Sequence, residues 1–159
     1  MRFLLLVLLV GATSGVAQGV RARFTAGTTI FADDGPVYER TFGGSVRVYF
    51  TRRWSIEPEF LHARTRSDRN YFFWGNVSYD FLQRDRRVVP YWYAAPGLIR
   101  HSNDFGRFTF RSTEAAFGTG TGVRFKLSDR WFVAPQFRMG VADGVFAEVT
   151  GSIGYLFSK

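Results

Sequence analysis

The sequence of 159 residues contains no cysteine. This absence excludes a disulfide framework, a thiolate metal site and a cysteine nucleophile. Its two histidines, His62 and His101, are too few and too far apart to suggest a histidine-rich metal site. Lysine is almost absent as well, since Lys126 and Lys159 are the only two, so the net charge of +8 comes mainly from arginine. We expect no cofactor.

Long apolar runs are also missing after residue 18, where nothing approaches the ~18 consecutive apolar residues of a transmembrane helix. The N-terminus differs. A short positive start is followed by an apolar run over 3–10 and by small and polar residues up to Ala17. This pattern predicts a signal peptide over 1–17, because the run is too short to anchor the chain across a ~30 Å hydrocarbon layer. The exported domain is then 18–159.

The pI near 10.4 would suit a nucleic-acid-binding protein. However, the arginines form no basic block and stand mostly in pairs at the ends of apolar segments, as in Arg52-Arg53. Export also separates the chain from nucleic acid. We therefore expect no nucleic-acid partner.

After the signal peptide, apolar and polar residues alternate with a period of two, which indicates β-strands. Segments of this length match the ~9–11 residues that a tilted strand needs to cross a bilayer, and they exceed the ~5–6 residues of ordinary strands. Eight strands are predicted, over 21–32, 41–51, 54–66, 70–82, 89–101, 113–127, 131–142 and 145–157.

The predicted connections alternate in character. Those at 51–53, 83–88 and 128–130 are compact and charged, whereas 32–40 and 102–112 are longer. Short periplasmic turns and longer external loops are typical of outer-membrane barrels, and an even number of strands leaves both termini on the periplasmic side. The remaining connections are short, so no large surface domain is expected.

Alternation alone does not say which face lies inside. In the sixth strand, rings such as Phe117 and Phe125 oppose Gly118, Gly120 and Gly122. A soluble exported ligand-binding barrel would bury the apolar face, but an eight-stranded lumen is only just wide enough for side chains to fill, and so many rings would overfill it. The sequence therefore predicts an all-β fold, an eight-stranded antiparallel up-and-down transmembrane β-barrel. The soluble barrel is the alternative.

Three segments carry a resemblance to known proteins: Trp-Ser-Ile-Glu-Pro-Glu-Phe at 54–60, Pro-Tyr-Trp-Tyr-Ala-Ala-Pro-Gly at 90–97, and the alternating glycines of 118–125. They resemble the OmpA-like, OmpX-like and opacity-protein-like outer-membrane barrels. The resemblance implies the barrel architecture, and the leading hypothesis for the function is a structural or interaction role in the outer membrane. The resemblance also implies a C-terminal signal, Tyr155 and Phe157, for the barrel-assembly machinery, although Ser158 and Lys159 follow the phenylalanine here.

Charged residues are predicted on the inner face, where they must be paired. The candidate lumen network consists of Arg47, Glu57, Glu59, Glu114, Arg124, Arg138 and Glu148, with Asp80 and Lys126 nearby. We expect Glu59 or Glu57 to pair with Arg138 or Arg124. The network has two interpretations: a structural plug, or a switchable gate on a narrow ion path, as is inferred for OmpA-like barrels. A general porin is not expected from eight strands.

Arginines near the predicted external ends form a second candidate site, since a guanidinium group suits phosphate oxygens. The predicted partner is lipopolysaccharide, and the rim residues are Arg64, Arg66, Arg69, Arg100, Arg107 and Arg111. We expect a monomer.

One segment suggests catalysis, Arg-His-Ser-Asn at 100–103. Some eight-stranded barrels are lipid A deacylases, and the turn after the sixth strand looks like theirs. Their motif is His-x-Ser-Asn, which puts base and nucleophile on one face of a strand. Here His101 and Ser102 are adjacent and are expected on opposite faces. A membrane hydrolase remains the alternative, and no enzyme is expected.

Overall fold

The computed structural model describes residues 19–32, 36–65, 68–104 and 109–157, without the side chains of Asp68, Asn103, Asp104, Thr109 and Phe110. These residues form strands and no helix that could cross a bilayer. The strands are β1 (Val20–Ala32), β2 (Pro36–Tyr49), β3 (Trp54–Arg64), β4 (Asp68–Asp80), β5 (Val88–Asp104), β6 (Thr109–Lys126), β7 (Trp131–Val141) and β8 (Val145–Leu156).

Each strand pairs antiparallel with the next, and β1 pairs with β8, so the eight strands close a barrel. Closure pairs the backbone groups of every strand on both sides, which a sheet in hydrocarbon requires. The predicted fold class is confirmed.

We call the two ends of the barrel lower and upper. The lower end carries the turns at 50–53, 81–87 and 127–130, together with the start of β1 and the end of β8. The upper end carries the connections between the members of the pairs β1–β2, β3–β4, β5–β6 and β7–β8. The first strand begins and the last strand ends at the lower end. Because the sequence predicts both termini on the periplasmic side, the lower end is the predicted periplasmic end.

The prediction of long connections at 32–40 and 102–112 is wrong. Pro36 already begins β2, and β5 and β6 pair as far as Asp104 and Thr109. The prediction extended each connection too far because it assigned strand residues on both sides to the connection. Val37 and Tyr38 have the β-branched and aromatic side chains that favour a strand, and they lie opposite Phe31 and Ile30.

Apolar side chains cover the outer face, as the sequence predicts. Phe24, Phe73, Phe117 and Val149 are about half exposed, whereas the alternate positions of the same strands are buried. This arrangement is the reverse of a soluble barrel, and it matches a strand with lipid on one side and a polar lumen on the other.

The inner face is bulkier than predicted. Small and polar residues were expected there, but large aromatic rings also point inward: Phe72, Trp74, Tyr91, Tyr93, Phe132 and Phe146. Glycines on the adjacent strands make room for them. A Cβ atom at Gly120 would lie 2.5 Å from the Tyr93 ring, and one at Gly140 would lie 2.5 Å from Phe146. The glycines of the inner face therefore leave the space that its aromatic rings occupy.

Two lower turns use the same local structure. Thr51 Oγ1 accepts a hydrogen bond from the Trp54 amide at 2.9 Å, and Ser128 Oγ accepts one from the Trp131 amide at 3.1 Å. Each tryptophan ring then packs against a tyrosine on the following strand, with ring centroids 5.0 Å apart for Trp54 and Tyr79.

An arginine completes each of these structures. Arg53 Nη1 donates to Tyr79 Oη, and Arg130 Nη1 donates to Tyr155 Oη, both at 2.9 Å. We call the two groups the anchors: Arg53, Trp54 and Tyr79 form one, and Arg130, Trp131 and Tyr155 form the other. Each combines an apolar ring with polar tips, as suits the membrane–water interface.

Candidate functional site

The centre of the lumen holds a chain of alternating charges. Arginines and carboxylates from seven strands follow one another, each within 4.0 Å of the next. The order is Arg124, Asp80, Arg47, Glu57, Arg23, Glu59, Arg138 and Glu148. Four arginines face four carboxylates, so the formal charges cancel within this group, which we call the charge chain. Cancellation is what permits so many charges in a barrel interior.

Arg23 occupies the middle of the charge chain. Its Nη2 lies 2.8 Å from Glu57 Oε1 and 3.0 Å from Glu59 Oε1, and its Nη1 donates to Gln136 Oε1 at 2.6 Å. Its Nε donates to Ser45 Oγ at 3.2 Å. Arg23 thus joins β1 to β2, β3 and β7. The sequence-based prediction missed this residue, although Arg21, Arg23 and Thr25 alternate on β1 and are all buried.

Glu59 connects opposite walls of the barrel. One carboxylate oxygen faces Arg23, and the other accepts hydrogen bonds from Arg138 Nη2 and from Asn76 Nδ2, the latter at 3.0 Å. Arg138 continues to Glu148, with Nη1 3.4 Å from Oε1. The pairing of Glu59 with Arg138 is one of those that the sequence suggested.

Glu57 and Asp80 hold the lower half of the charge chain. Glu57 accepts from Ser45 Oγ and from Arg47 Nε, the latter at 2.5 Å. Asp80 accepts from both terminal nitrogens of Arg124, at 3.1 and 3.0 Å, a two-point contact of carboxylate and guanidinium.

Aromatic rings stack on the guanidinium groups. Arg138 Cζ lies 4.9 Å from the centre of the Trp74 ring and 5.2 Å from that of Tyr93, while Arg47 Cζ lies 4.8 Å from that of Tyr91. The face of each ring supplies the attraction for a cation that water would otherwise provide. The buried rings and the charge chain therefore form one packed unit.

Glu114, a predicted member of the lumen network, and Lys126, predicted to lie near it, do not join the charge chain. Glu114 accepts a hydrogen bond from His101 Nε2 at 2.5 Å, nearer the upper end, and both side chains are a quarter exposed. Lys126 pairs with Asp129 of a lower turn at 3.5 Å. The alternation placed these residues on the inner face but could not give their height along the barrel. Glu114 forms no ion pair with an arginine of the charge chain, and Lys126 forms none with its carboxylates.

Aromatic side chains pack against one another above the charge chain. Phe31, Phe72, Trp74 and Phe146 have ring centroids 5.7 to 6.4 Å apart and pack with buried Leu61 and Ile99. Beside the charge chain, a void bounded by Arg23, Glu57 and Tyr91 has a volume of about 10 Å³. A space of this size holds at most one water molecule.

A second group of candidate residues lies at the upper end, on the outer face. The register places Arg40 opposite Arg64, Arg64 opposite Arg69, Arg69 opposite Ser102, and Ser102 opposite Arg111. All four arginines are exposed. They form a row across five strands, which we call the arginine row, with neighbouring strands ~4.8 Å apart.

The rest of the predicted rim is distributed differently. Arg100 is exposed two residues below Ser102 on the same strand, opposite Tyr71. Arg66 and Arg107 lie outside the described residues. Arg40, which belongs to the row, was missed because only the strand register shows that it stands beside Arg64.

Aromatic side chains lie directly below the arginine row. Phe42, His62 and Tyr71 are opposite one another in the register, with ring centroids 5.1 and 4.8 Å apart. A ring layer followed by a cationic layer is the order of groups at the edge of a hydrocarbon region.

The candidate catalytic segment has no paired base and nucleophile. His101 points inward and contacts Asn70 Oδ1 at 2.7 Å as well as Glu114. Ser102 follows it on the strand and belongs to the opposite face, beside Arg69 and Arg111. The described residues also contain no cluster of three or more histidine or acidic side chains suited to a metal ion.

The fold of this chain is similar to those of several solved outer-membrane barrels. Neisserial surface protein A is 16% identical with a TM-score of 0.75, covering 86% of this chain and 96% of that one. The N-terminal barrel of OprF from Pseudomonas aeruginosa is 15% identical with a TM-score of 0.72, covering 88% and 100%. Ail of Yersinia pestis, solved with the heparin analogue sucrose octasulfate, is 15% identical with a TM-score of 0.62, covering 87% and 99%. These likenesses concern the fold.

No curated protein sequence matches the chain significantly. One protein family does match: residues 3–153, nearly the whole sequence, match the family described as "Outer membrane protein beta-barrel domain". The chain belongs to this family of outer-membrane β-barrel domains.

Proposed function

We propose that this protein is a structural barrel of the outer membrane, closed by its own side chains and held in the outer leaflet by contacts with lipid phosphate. The observation that carries the proposal is the packing of charged and aromatic side chains inside the barrel. The charge chain and the rings above it leave beside them a void of about 10 Å³, which is too small for a hydrated ion. A barrel filled in this way supports the membrane rather than opening it.

The arginine row supports the lipid contact. Arginine binds phosphate oxygens with two parallel hydrogen bonds, and the exposed side chains of Arg40, Arg64, Arg69 and Arg111 stand beside one another just above a ring layer. With the upper end outside the cell, this height corresponds to the phosphate groups of lipopolysaccharide.

The lipid contact is tested by removing two charges from the row and two from the opposite end. Arg64→Gln/Arg69→Gln is compared with Arg52→Gln/Arg87→Gln, in which both residues are exposed in lower turns. We expect the rim variant to lose preference for vesicles containing lipopolysaccharide over zwitterionic vesicles, while the lower variant keeps it. Equal binding of all three proteins to both kinds of vesicle would refute the lipid contact.

A second function, narrow gated conduction, is favoured by the position of Glu59. Its carboxylate is shared between Arg23 and Arg138, so a shift toward either arginine breaks one contact while the other remains. An exchange of this kind would open a path along the lumen without unfolding the barrel.

Planar-bilayer recording separates the two functions. If the charge chain gates conduction, Glu59→Ala and Arg138→Ala change the current, whereas Glu114→Ala, outside the charge chain, leaves it as in the wild type. Unchanged current in both central variants would leave only the structural role. A large steady current in the wild type would contradict the closed barrel.

A further inference from the structure

The lower end of the barrel contains a cavity of about 290 Å³ below the charge chain. The turns at 81–87 and 127–130 form its mouth, and buried side chains of β1, β2 and β6 form its inner wall. Six cationic residues line it: Arg21, Arg84, Arg86, Arg124, Lys126 and Arg130. Only two acidic residues, Asp85 and Asp129, are among the lining residues.

Three of these cations have partners. Arg124 is held by Asp80 through two hydrogen bonds, Lys126 lies 3.5 Å from Asp129, and Arg130 donates to Tyr155 Oη. The charges of Arg124 and Lys126 are therefore compensated within the protein, and one guanidinium nitrogen of Arg130 is held by a hydrogen bond.

Arg21 and Arg84 are different. Both guanidinium groups lie over the same ring, with Cζ 5.1 and 5.5 Å from the centre of Tyr49. Among the described residues, no carboxylate lies within 4.0 Å of either one. The two positive charges on one ring therefore repel each other, and, within the described residues, neither is neutralised by a carboxylate as every arginine of the charge chain is.

Each of these two guanidinium groups has a buried nitrogen that donates no hydrogen bond to any residue that the structure describes. Arg21 is only 6% exposed, yet its Nε has no hydrogen-bond partner among the described residues, and the buried Nη1 of Arg84 has none either. The one bond that joins the two residues is long, 3.4 Å from Arg21 Nη2 to the Arg84 carbonyl oxygen. Buried charged donors without partners are unfavourable, and an oxyanion between them would satisfy both.

We propose that this cavity is a binding site for a phosphate group, with Arg21 and Arg84 as its ligands. A guanidinium pair suits the tetrahedral oxygens of phosphate, and a cavity of about 290 Å³ accepts a phosphate together with a small group attached to it. Tyr49 and Phe132 supply an apolar wall for that group. The site is at the opposite end from the arginine row and does not depend on the proposed lipopolysaccharide contact.

The phosphate can come from solution or from a lipid headgroup, because Trp131 both lines the cavity and is 47% exposed on the outer face. Isothermal titration of the folded barrel in a non-ionic detergent distinguishes the sources. One titration uses inorganic phosphate at constant ionic strength, and the other uses a short-chain phosphatidic acid below its micelle concentration. Tenfold tighter binding of the lipid would assign the headgroup, and equal binding would assign phosphate itself.

The variants are Arg84→Gln and Arg21→Gln, with Arg52→Gln as the control, since Arg52 is exposed in a turn at the same end and does not line the cavity. We expect saturable binding in the wild type and in Arg52→Gln, and at least tenfold weaker binding in the other two. No saturable binding to the wild type, or equal binding by Arg84→Gln and Arg52→Gln, would overturn the proposal.

A stability measurement covers the case in which Arg21→Gln alters folding. Phosphate should raise the urea midpoint of the wild type more than chloride at equal ionic strength, because a ligand bound only by the folded state stabilises it. In Arg84→Gln, a turn variant, this difference should vanish while the midpoint in chloride is unchanged or higher. An equal phosphate effect in both proteins would contradict the site.

Discussion

Arg138 on β7 donates a hydrogen bond to the carboxylate of Glu59 on β3, and in the closed order of eight strands these two lie half the circumference apart. The interaction therefore crosses the lumen rather than following one wall. Neighbouring strands are already joined by their backbones, so a contact across the lumen restrains the cross-section of the barrel in a way that the backbone ladder cannot.

Breaking this contact should destabilise the barrel strongly. Glu59→Ala leaves Arg138 and Arg23 with one carboxylate fewer, and removing one partner of a buried ion pair costs about 3–5 kcal/mol. Glu114→Ala is the matched change, because Glu114 pairs with His101 and is a quarter exposed; its cost should be about 1 kcal/mol or less. Urea unfolding in lipid vesicles, followed by tryptophan fluorescence, measures both. Equal midpoints would contradict the role of the charge chain.

Added volume on the inner face should also destabilise the barrel. A Cβ atom at Gly120 would lie 2.3 Å from the Phe137 carbonyl oxygen and 2.5 Å from the Tyr93 ring, so the backbone of β7 must shift. We expect Gly120→Ala to lower the free energy of unfolding by about 1–3 kcal/mol. Gly151→Ala is the control, because a Cβ atom there meets nothing within 4 Å. The prediction fails if the two variants unfold at the same urea concentration.

The free-energy cost of a charged residue on the outer face should depend on its depth in the bilayer. Val149 and Val145 lie on the same strand and are both 55% exposed, but Val149 is near its middle and Val145 is its first residue. Val149→Arg should cost about 2–4 kcal/mol and Val145→Arg about 0–1 kcal/mol, since the penalty falls from the bilayer centre to its edge. Reversible unfolding from vesicles gives both values. A larger loss for Val145→Arg would mean that the membrane boundary has been misplaced.

The predicted assembly signal at Tyr155 and Phe157 has an internal counterpart. Tyr155 and Phe157 have ring centroids 5.2 Å apart, and Tyr79 and Phe81 repeat the arrangement at 5.7 Å. Phe157→Ala and Phe81→Ala thus remove similar contacts from the folded barrel. With purified assembly machinery in vesicles, we expect only Phe157→Ala to fold several times more slowly. Similar spontaneous folding of both variants in detergent is the control, and equal slowing by the machinery would refute the signal.

Strand number, sidedness and the outer-membrane location were predictable from the sequence. Strand number depends on alternation within each segment, whereas sidedness and location depend on strand length and on the excess of rings over what an eight-stranded lumen can hold. Trp54, Ile56 and Phe60 against Glu57 and Glu59 already separate the two faces of β3. The family match confirms the location.

What escaped prediction depends on register between strands. Arg40 belongs to the arginine row only because it lies opposite Arg64, and Glu114 leaves the charge chain because it lies too near the upper end. The inward rings were missed for a related reason. Tyr93 fits inside the lumen because Gly120 stands opposite it on the adjacent strand, and neither residue alone indicates the fit.

The anchors also have a consequence for how the barrel stands in the bilayer. One joins β3 to β4 and the other joins β7 to β8, so they lie on opposite sides of the circumference at the lower end. If the barrel leaned to one side, one tryptophan would be pushed into the acyl chains while the other was lifted into water. Both displacements are unfavourable, so the two anchors together oppose tilting of the barrel relative to the bilayer normal.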